Sequence, residues 1–252
     1  MFAQAADEGL LDSYRPSWAE GIPEEYRDAE DRWYATYRSP LAILFNKNGL
    51  TKETAPQTWD ELLDPKWHGK IALRRPLASG TMRSFLCAMI ARAPSEDEGI
   101  AWLKRLHEAT AEYPENPGML FDHIARNPDR VSVWLLSDVI MQYVMHGYPF
   151  DAHVPPQTPV LTDGIAIVKG APHRVRAEQF YEFVTSREAL VDQATRYAKL
   201  PARSDIPPEV LPPRLVDQAI VGMDIDWKHF AEKEKEWCGR WQREVYEAAP
   251  RE

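Results

Sequence analysis

Short apolar runs of strand length alternate with amphipathic stretches of helical length along the 252-residue chain, and that alternation restricts it to the α/β class. Strands are expected at 40–45 (PLAILF), 70–73 (KIAL), 131–136 (VSVWLL) and within 160–168 (LTDGIAIV). A helix is expected over 81–93, where Met82, Phe85, Leu86, Met89 and Ile90 share one face. Ser95 and Glu98 have capping-box spacing and open the next helix, and Thr58 and Glu61 repeat that spacing before a short one. Further helices are expected at 138–146, ended by Gly147, at about 173–185 and 187–198, and at 224–246, where Trp227, Phe230, Trp237, Trp241 and Val245 form an apolar stripe. At the N-terminus, AQAADEGLL reads as the end of an amphipathic helix with Gly9 near its C-cap.

Composition removes several alternatives. Twenty-one Pro and 12 Gly argue against one long helical bundle. No apolar run approaches the roughly 18 residues of a membrane span. A net charge of -9 argues against a general nucleic-acid binder, which needs clustered Lys and Arg. Two cysteines, Cys87 and Cys238, exclude a disulfide-rich scaffold and a Cys-rich zinc site. The opening MFAQAADEGLLDSY has neither the basic nor the apolar region of a secretory signal.

Four groups of residues are candidates for ligand contact. Ser79, Gly80 and Thr81 precede an amphipathic helix, where unsatisfied N–H groups and the positive end of the dipole make an anion site. The plainer role is an ordinary N-cap. Trp134, Ser137 and Asp138 stand where a strand meets the next helix, at a strand's carboxyl end, where α/β folds bind ligands. Asp138 serves equally well as a cap. Tyr34, Tyr37 and Arg38 precede the strand at 40–45, and Arg38 has the geometry to pair with a carboxylate or phosphate. Thr162 and Asp163 lie in the strand at 160–168, with a turn or bulge at Gly164 as the plainer role. Arg74 and Arg75 read as a solvated pair before an anion clamp. His146, Asp151 and His153 have no metal-ligand spacing. No GxSxG, P-loop, GxGxxG or HExxH motif is present, so no enzyme and no cofactor are expected.

The run TWDELLDPKWHGKIALRRPLASGT, residues 58–81, resembles the extracytoplasmic solute-binding proteins of ABC importers, in the cluster with ferric-iron, phosphonate and polyamine-type binders. AILFNKNGL is similar to the strand crossing from their first lobe to the second, PVLTDGIAIVKGAPHRVRAEQFYEFVTSREA to the return crossing, and KLPARSDIPP to a late loop. The resemblance implies a two-lobed type II periplasmic-binding-protein-like fold with ligand in the cleft between the lobes. It puts 1–45 and 160–252 in the first lobe and 46–159 in the second. It also implies βαβ units ahead of AQAADEGLL, so the first lobe is expected to be incomplete. The expected partners are a small-molecule or ion ligand and ABC permease subunits, with no nucleic acid; a monomer and a periplasmic or extracytoplasmic location are expected.

Iron-binding relatives carry adjacent tyrosines where this chain has Leu136-Ser137-Asp138-Val139, with Tyr143 alone a turn away. A small anion (phosphonate, phosphorylated compound or carboxylate) therefore ranks ahead of ferric iron, and both ahead of a polyamine. Two other functions fit the sequence less closely. One is a truncated, non-transporting relative acting as an interaction or regulatory module. The other is a hydrolase using Asp138 or Asp163 with a histidine.

Overall fold

The computed structural model describes residues 2–217 and 219–248. In chain order its elements are α1 (Phe2–Asp7), β1 (Leu11–Asp12), β2 (Trp33–Asn46), β3 (Ile71–Ala72), α2 (Gly80–Ala91), α3 (Glu96–Ala109) and β4 (Thr110–Glu112). Then come α4 (Pro117–Arg126), β5 (Val131–Leu135), α5 (Leu136–His146), β6 (Phe150–His153), β7 (Val160–Val168), α6 (Arg174–Val184) and α7 (Arg187–Tyr197). The last are β8 (Leu200–Pro201), α8 (Pro213–Val216) and α9 (Trp227–Trp241). The fold is α/β, as expected. None of the described helices is long and apolar enough to cross a membrane.

The chain divides into two compact units, one of Met1–Ser39 with Leu161–Gln218, the other of Pro40–Val160 with Ala219–Glu252. In the second unit β2 pairs antiparallel with β5 (Leu41 opposite Leu135) and with β6 (Ile43 opposite His153). β3 runs parallel to both β5 and β4. Leu41 to Phe45 are all fully buried, which is the signature of a strand covered on both faces. That explains why this stretch reads as a continuous apolar run rather than an alternation. Phe85 of α2 packs on Trp59 (centroids 5.3 Å) and on Trp102 of α3 (6.3 Å). The capping boxes form: Ser95 Oγ accepts from Glu98 N–H at 3.2 Å, and Thr58 Oγ1 from Glu61 N–H at 3.3 Å. The latter opens a single 3-10 turn, Asp60–Leu63, rather than an α-helix.

The segment 219–252 was expected in the first lobe, and the structure assigns it to the second unit. Two contacts explain this. Thr158 N–H donates to Val221 O (3.0 Å) and Met223 N–H to Thr158 O (2.8 Å), tying the segment beside β2, whose Leu41 carbonyl accepts from Thr158 Oγ1 (2.6 Å). α9 then lays its stripe on α2, burying Phe230, Trp237 and Trp241.

The first unit has a smaller core of Trp18, Ala19, Ile22, Tyr34, Ala35, Ile167, Tyr181 and Ala202. Trp18 meets Tyr34 edge-on at 5.4 Å and stacks on Tyr181 at 6.1 Å. β1 pairs antiparallel with β7, and β8 with the first half of β2. α1 ends in a Schellman turn: Gly9 has φ +68, Leu10 N–H donates to Ala5 O and Gly9 N–H to Ala6 O.

Candidate functional site

α2 begins where β3 has run out and a 3-10 turn, Pro76–Ala78, redirects the chain. Ser79 is the N-cap, in extended conformation, and its Oγ accepts from Met82 N–H at 3.3 Å. The capping role is thus real and satisfies one donor of the first turn. Gly80 is exposed and Thr81 half-buried. Among the described residues no hydrogen bond from the N–H of Gly80 or of Thr81 is found. A Cβ on Gly80 would have only Arg83 Nη2 within reach, at 3.9 Å, so the space at that position is open. No acidic residue lies in the first turn.

Two guanidinium groups brace the turn ahead of this helix. Arg74 Nη2 donates to Ala78 O (3.2 Å) and Arg83 Nη1 to Leu77 O (3.3 Å). Arg83 is neutralised by Glu234 at 3.2 Å. Arg74 has no carboxylate partner among the described residues, and its buried Nε has no acceptor. Arg75, by contrast, is committed to Glu115 at 2.6 Å. The expected solvated Arg74–Arg75 pair therefore splits: Arg75 is ion-paired with Glu115, and Arg74 holds the Ala78 carbonyl ahead of the helix with no carboxylate partner among the described residues. The local signal for this is faint, since Arg74 stands five residues ahead of the cap.

The β5–α5 junction brings Trp134, Ser137 and Asp138 together as expected. Trp134 Nε1 donates to Asp138 Oδ2 at 3.0 Å. Trp134 and Ser137 are buried, and Ser137 Oγ has no partner. A carboxylate in the first turn complements the dipole of α5 and repels any anion approaching that end. The two helix starts of this unit thus differ in sign. Tyr143, further along α5, has Lys47 Nζ 4.0 Å above its ring.

In the first unit Tyr37 OH bonds Gln193 Oε1. Burial, with the Asp163 charge behind it, pushes the Tyr37 hydroxyl up to about 12, so it is a neutral phenol at physiological pH. Asp163 holds β2 to β7: its carbonyl accepts from Thr36 Oγ1 and its carboxylate from Ser39 Oγ, both at 3.1 Å. Thr162 and Asp163 are exposed. Arg38 stands opposite Leu200, with a buried Nε that has no acceptor. Tyr34 is fully buried and bonded to Asp31, which makes it a core residue.

Sequence reasoning missed a surface hollow of about 600 Å³ in this unit, lined by Trp18, Glu182, Ser186, Arg203 and Asp205. Three of its charged groups are held by neighbours. Arg203 pairs with Asp205 at 2.6 Å, and Glu182 accepts from Ser17 Oγ and Tyr14 OH. His153 Nε2 lies 3.0 Å from Gln57 O, and among the described residues no group of three His, Cys, Asp or Glu is arranged to hold a metal.

Residues 1–228 match the family described as bacterial extracellular solute-binding protein. A probable ABC transporter periplasmic-binding protein of Sinorhizobium fredii is 25% identical over 251 residues, covering 94% of this chain and 68% of that protein. Iron uptake protein A1 of Synechocystis is 24% identical over 219 residues, covering 81% of this chain and 59% of its own length. The periplasmic binding protein AfuA from Actinobacillus pleuropneumoniae, solved with exogenous fructose-6-phosphate bound, superposes with a TM-score of 0.77 at 24% identity, over 97% of this chain and 79% of that one. At that identity the structural likeness establishes the fold alone. With residues 1–228 matched, the chain belongs to the bacterial extracellular solute-binding protein family.

Proposed function

We propose that this protein is the substrate-binding component of an ABC importer, working outside the cytoplasmic membrane, and that it captures a small anion without turning it over. The ligand class is a phosphonate, a phosphorylated compound or a carboxylate. The observation that carries this reading is the start of α2, where among the described residues the N–H groups of Gly80 and Thr81 have no protein acceptor, and where Arg74 Nη2 is anchored on Ala78 O two residues ahead of Gly80. Backbone donors at a helix start suit tetrahedral and planar oxyanions. Within the first unit, Arg38, whose buried Nε has no acceptor among the described residues, is a separate candidate for ligand contact, with Tyr37, Thr162 and Asp163. Trp134, Ser137 and Asp138 would orient the organic part of a solute rather than its charge.

Ferric iron is the second reading, favoured by the name of the Synechocystis relative. It is ranked lower because Fe(III) wants anionic oxygens. Tyr37 is held neutral, and Leu136-Ser137-Asp138-Val139 stands where iron-binding relatives carry adjacent tyrosines. Thermal-shift titration against an alkyl phosphonate, a sugar phosphate, a dicarboxylate and ferric citrate tests the ranking. The melting temperature should rise with the phosphorus compounds or the dicarboxylate by mass action, with no product detected by mass spectrometry. A visible tyrosinate-to-iron band that disappears in Tyr143→Phe would put iron first, and sustained product formation would make the protein an enzyme.

A further inference from the structure

The chain has two cysteines, Cys87 and Cys238, 151 residues apart in sequence, and the fold sets their sulfurs 3.9 Å from one another. Cys87 lies on α2, fully buried, and Cys238 on α9, half-buried. Four residues earlier on each helix, Arg83 Nε meets Glu234 at 3.2 Å. The two helices are therefore joined by successive rungs in matching order, an ion pair and then a thiol pair, within the one unit. A disulfide needs its sulfurs at about 2.05 Å, so a closure of about 2 Å completes it, within reach of rotation about the two Cα–Cβ bonds. We infer that Cys87 and Cys238 form an intramolecular disulfide under oxidising conditions, a covalent clasp that pins the C-terminal helix to the helix bearing Ser79, Gly80 and Thr81.

The exposures fix the order of events. Cys238 reaches solvent and its thiol is lowered by the Cys87 S–H beside it, with Arg83 adding to this, while burial and the Glu234 charge oppose it. The Cys87 thiol is raised by the same sulfur contact and by burial. The Cys238 thiolate attacks one sulfur of an external disulfide, and the first donor thiolate leaves. Cys87 then gives up its proton and attacks the Cys238 sulfur of the mixed disulfide, expelling the adduct as a second thiolate. Two protein thiols and one donor disulfide become one protein disulfide and two donor thiols, so electrons and protons balance. Relatives named as periplasmic work in a compartment where such bonds persist.

Fully reduced protein is treated with oxidised glutathione, denatured, and analysed by intact mass, thiol titration and peptide mapping. The expected result is loss of both thiols, a mass lower by two hydrogen atoms, a peptide linking 87 to 238, and a chain that stays monomeric without reductant. Cys87→Ala should stop at a glutathione adduct on Cys238, and Cys238→Ala should remain unmodified under native conditions. The oxidised protein should melt higher than the same sample after reduction. A parent protein that keeps both thiols, retains a stable adduct, or crosslinks only between chains would overturn the assignment.

Discussion

Ser79 and Asp138 both stand at helix starts of the same unit, yet they do opposite things to the electrostatics around them. Ser79 takes up one N–H and leaves those of Gly80 and Thr81 without a protein acceptor among the described residues, whereas Asp138 sets a carboxylate at the start of α5 and holds the Trp134 indole. Gly80 separates folding from binding. Its φ is not in the left-handed region and a Cβ there meets only Arg83 Nη2 at 3.9 Å. Gly80→Ala should therefore leave stability unchanged or raise it by up to about 1 kcal/mol, because Ala loses less backbone entropy in a helix. The same change should weaken anion binding by narrowing the approach to the amides. Equal binding in the variant and the parent, measured calorimetrically, would make Ser79-Gly80-Thr81 a cap and nothing more. The cap itself was legible, since a serine before an amphipathic run is a local signal. The split between Arg74 and Arg75 was not. The partner that removes Arg75 is Glu115, 40 residues on, and no local pattern encodes that distance.

At the scale of elements, α3 carries the clearest pH-dependent feature. His107 sits in its last turn, with Nδ1 2.7 Å from Tyr113 OH and the two rings stacked at 5.5 Å. Burial lowers its pKa from the ordinary 6.5, with the Glu108 charge opposing. The folded state therefore prefers neutral imidazole, and the unfolded chain takes up the proton at higher pH. Stability from this group is complete above pH 6.5 and is lost as pH falls through the window below it. His107→Gln should flatten that part of the acid limb, read as the urea midpoint on either side of pH 6.5. An unchanged limb would mean the loss comes from another group such as His123, whose pKa is likewise lowered by burial and by Arg130. Among the strands, the second half of β2 was legible because Leu41 to Phe45 are buried on both faces. The first half, WYATYRS, was not. Its mix of aromatic and polar residues, with Tyr34, Thr36 and Ser39 buried and Trp33, Tyr37 and Arg38 half-buried, carries no apolar run, and it pairs with β8, more than 150 residues away.

For the whole molecule, the change of unit on β2 falls between Ser39 and Pro40 and the return between Val160 and Leu161, near the two segments whose motifs marked crossings. The resemblance puts everything after the return in the first lobe, whereas the segment from 219 onward groups with the second compact unit. What decides its place is the Thr158 hydrogen bonding and the α2–α9 contact, both long-range. Family membership follows from the match over 1–228. The central claim is anion capture at the start of α2, and calorimetric titration of the parent and of Arg74→Gln with an alkyl phosphonate and a sugar phosphate tests it most directly. The account predicts saturable one-to-one binding of at least one of them, weakened about tenfold, or about 1.4 kcal/mol, in the variant. Identical affinities in parent and variant, or no heat with either compound while ferric citrate binds tightly, would contradict it.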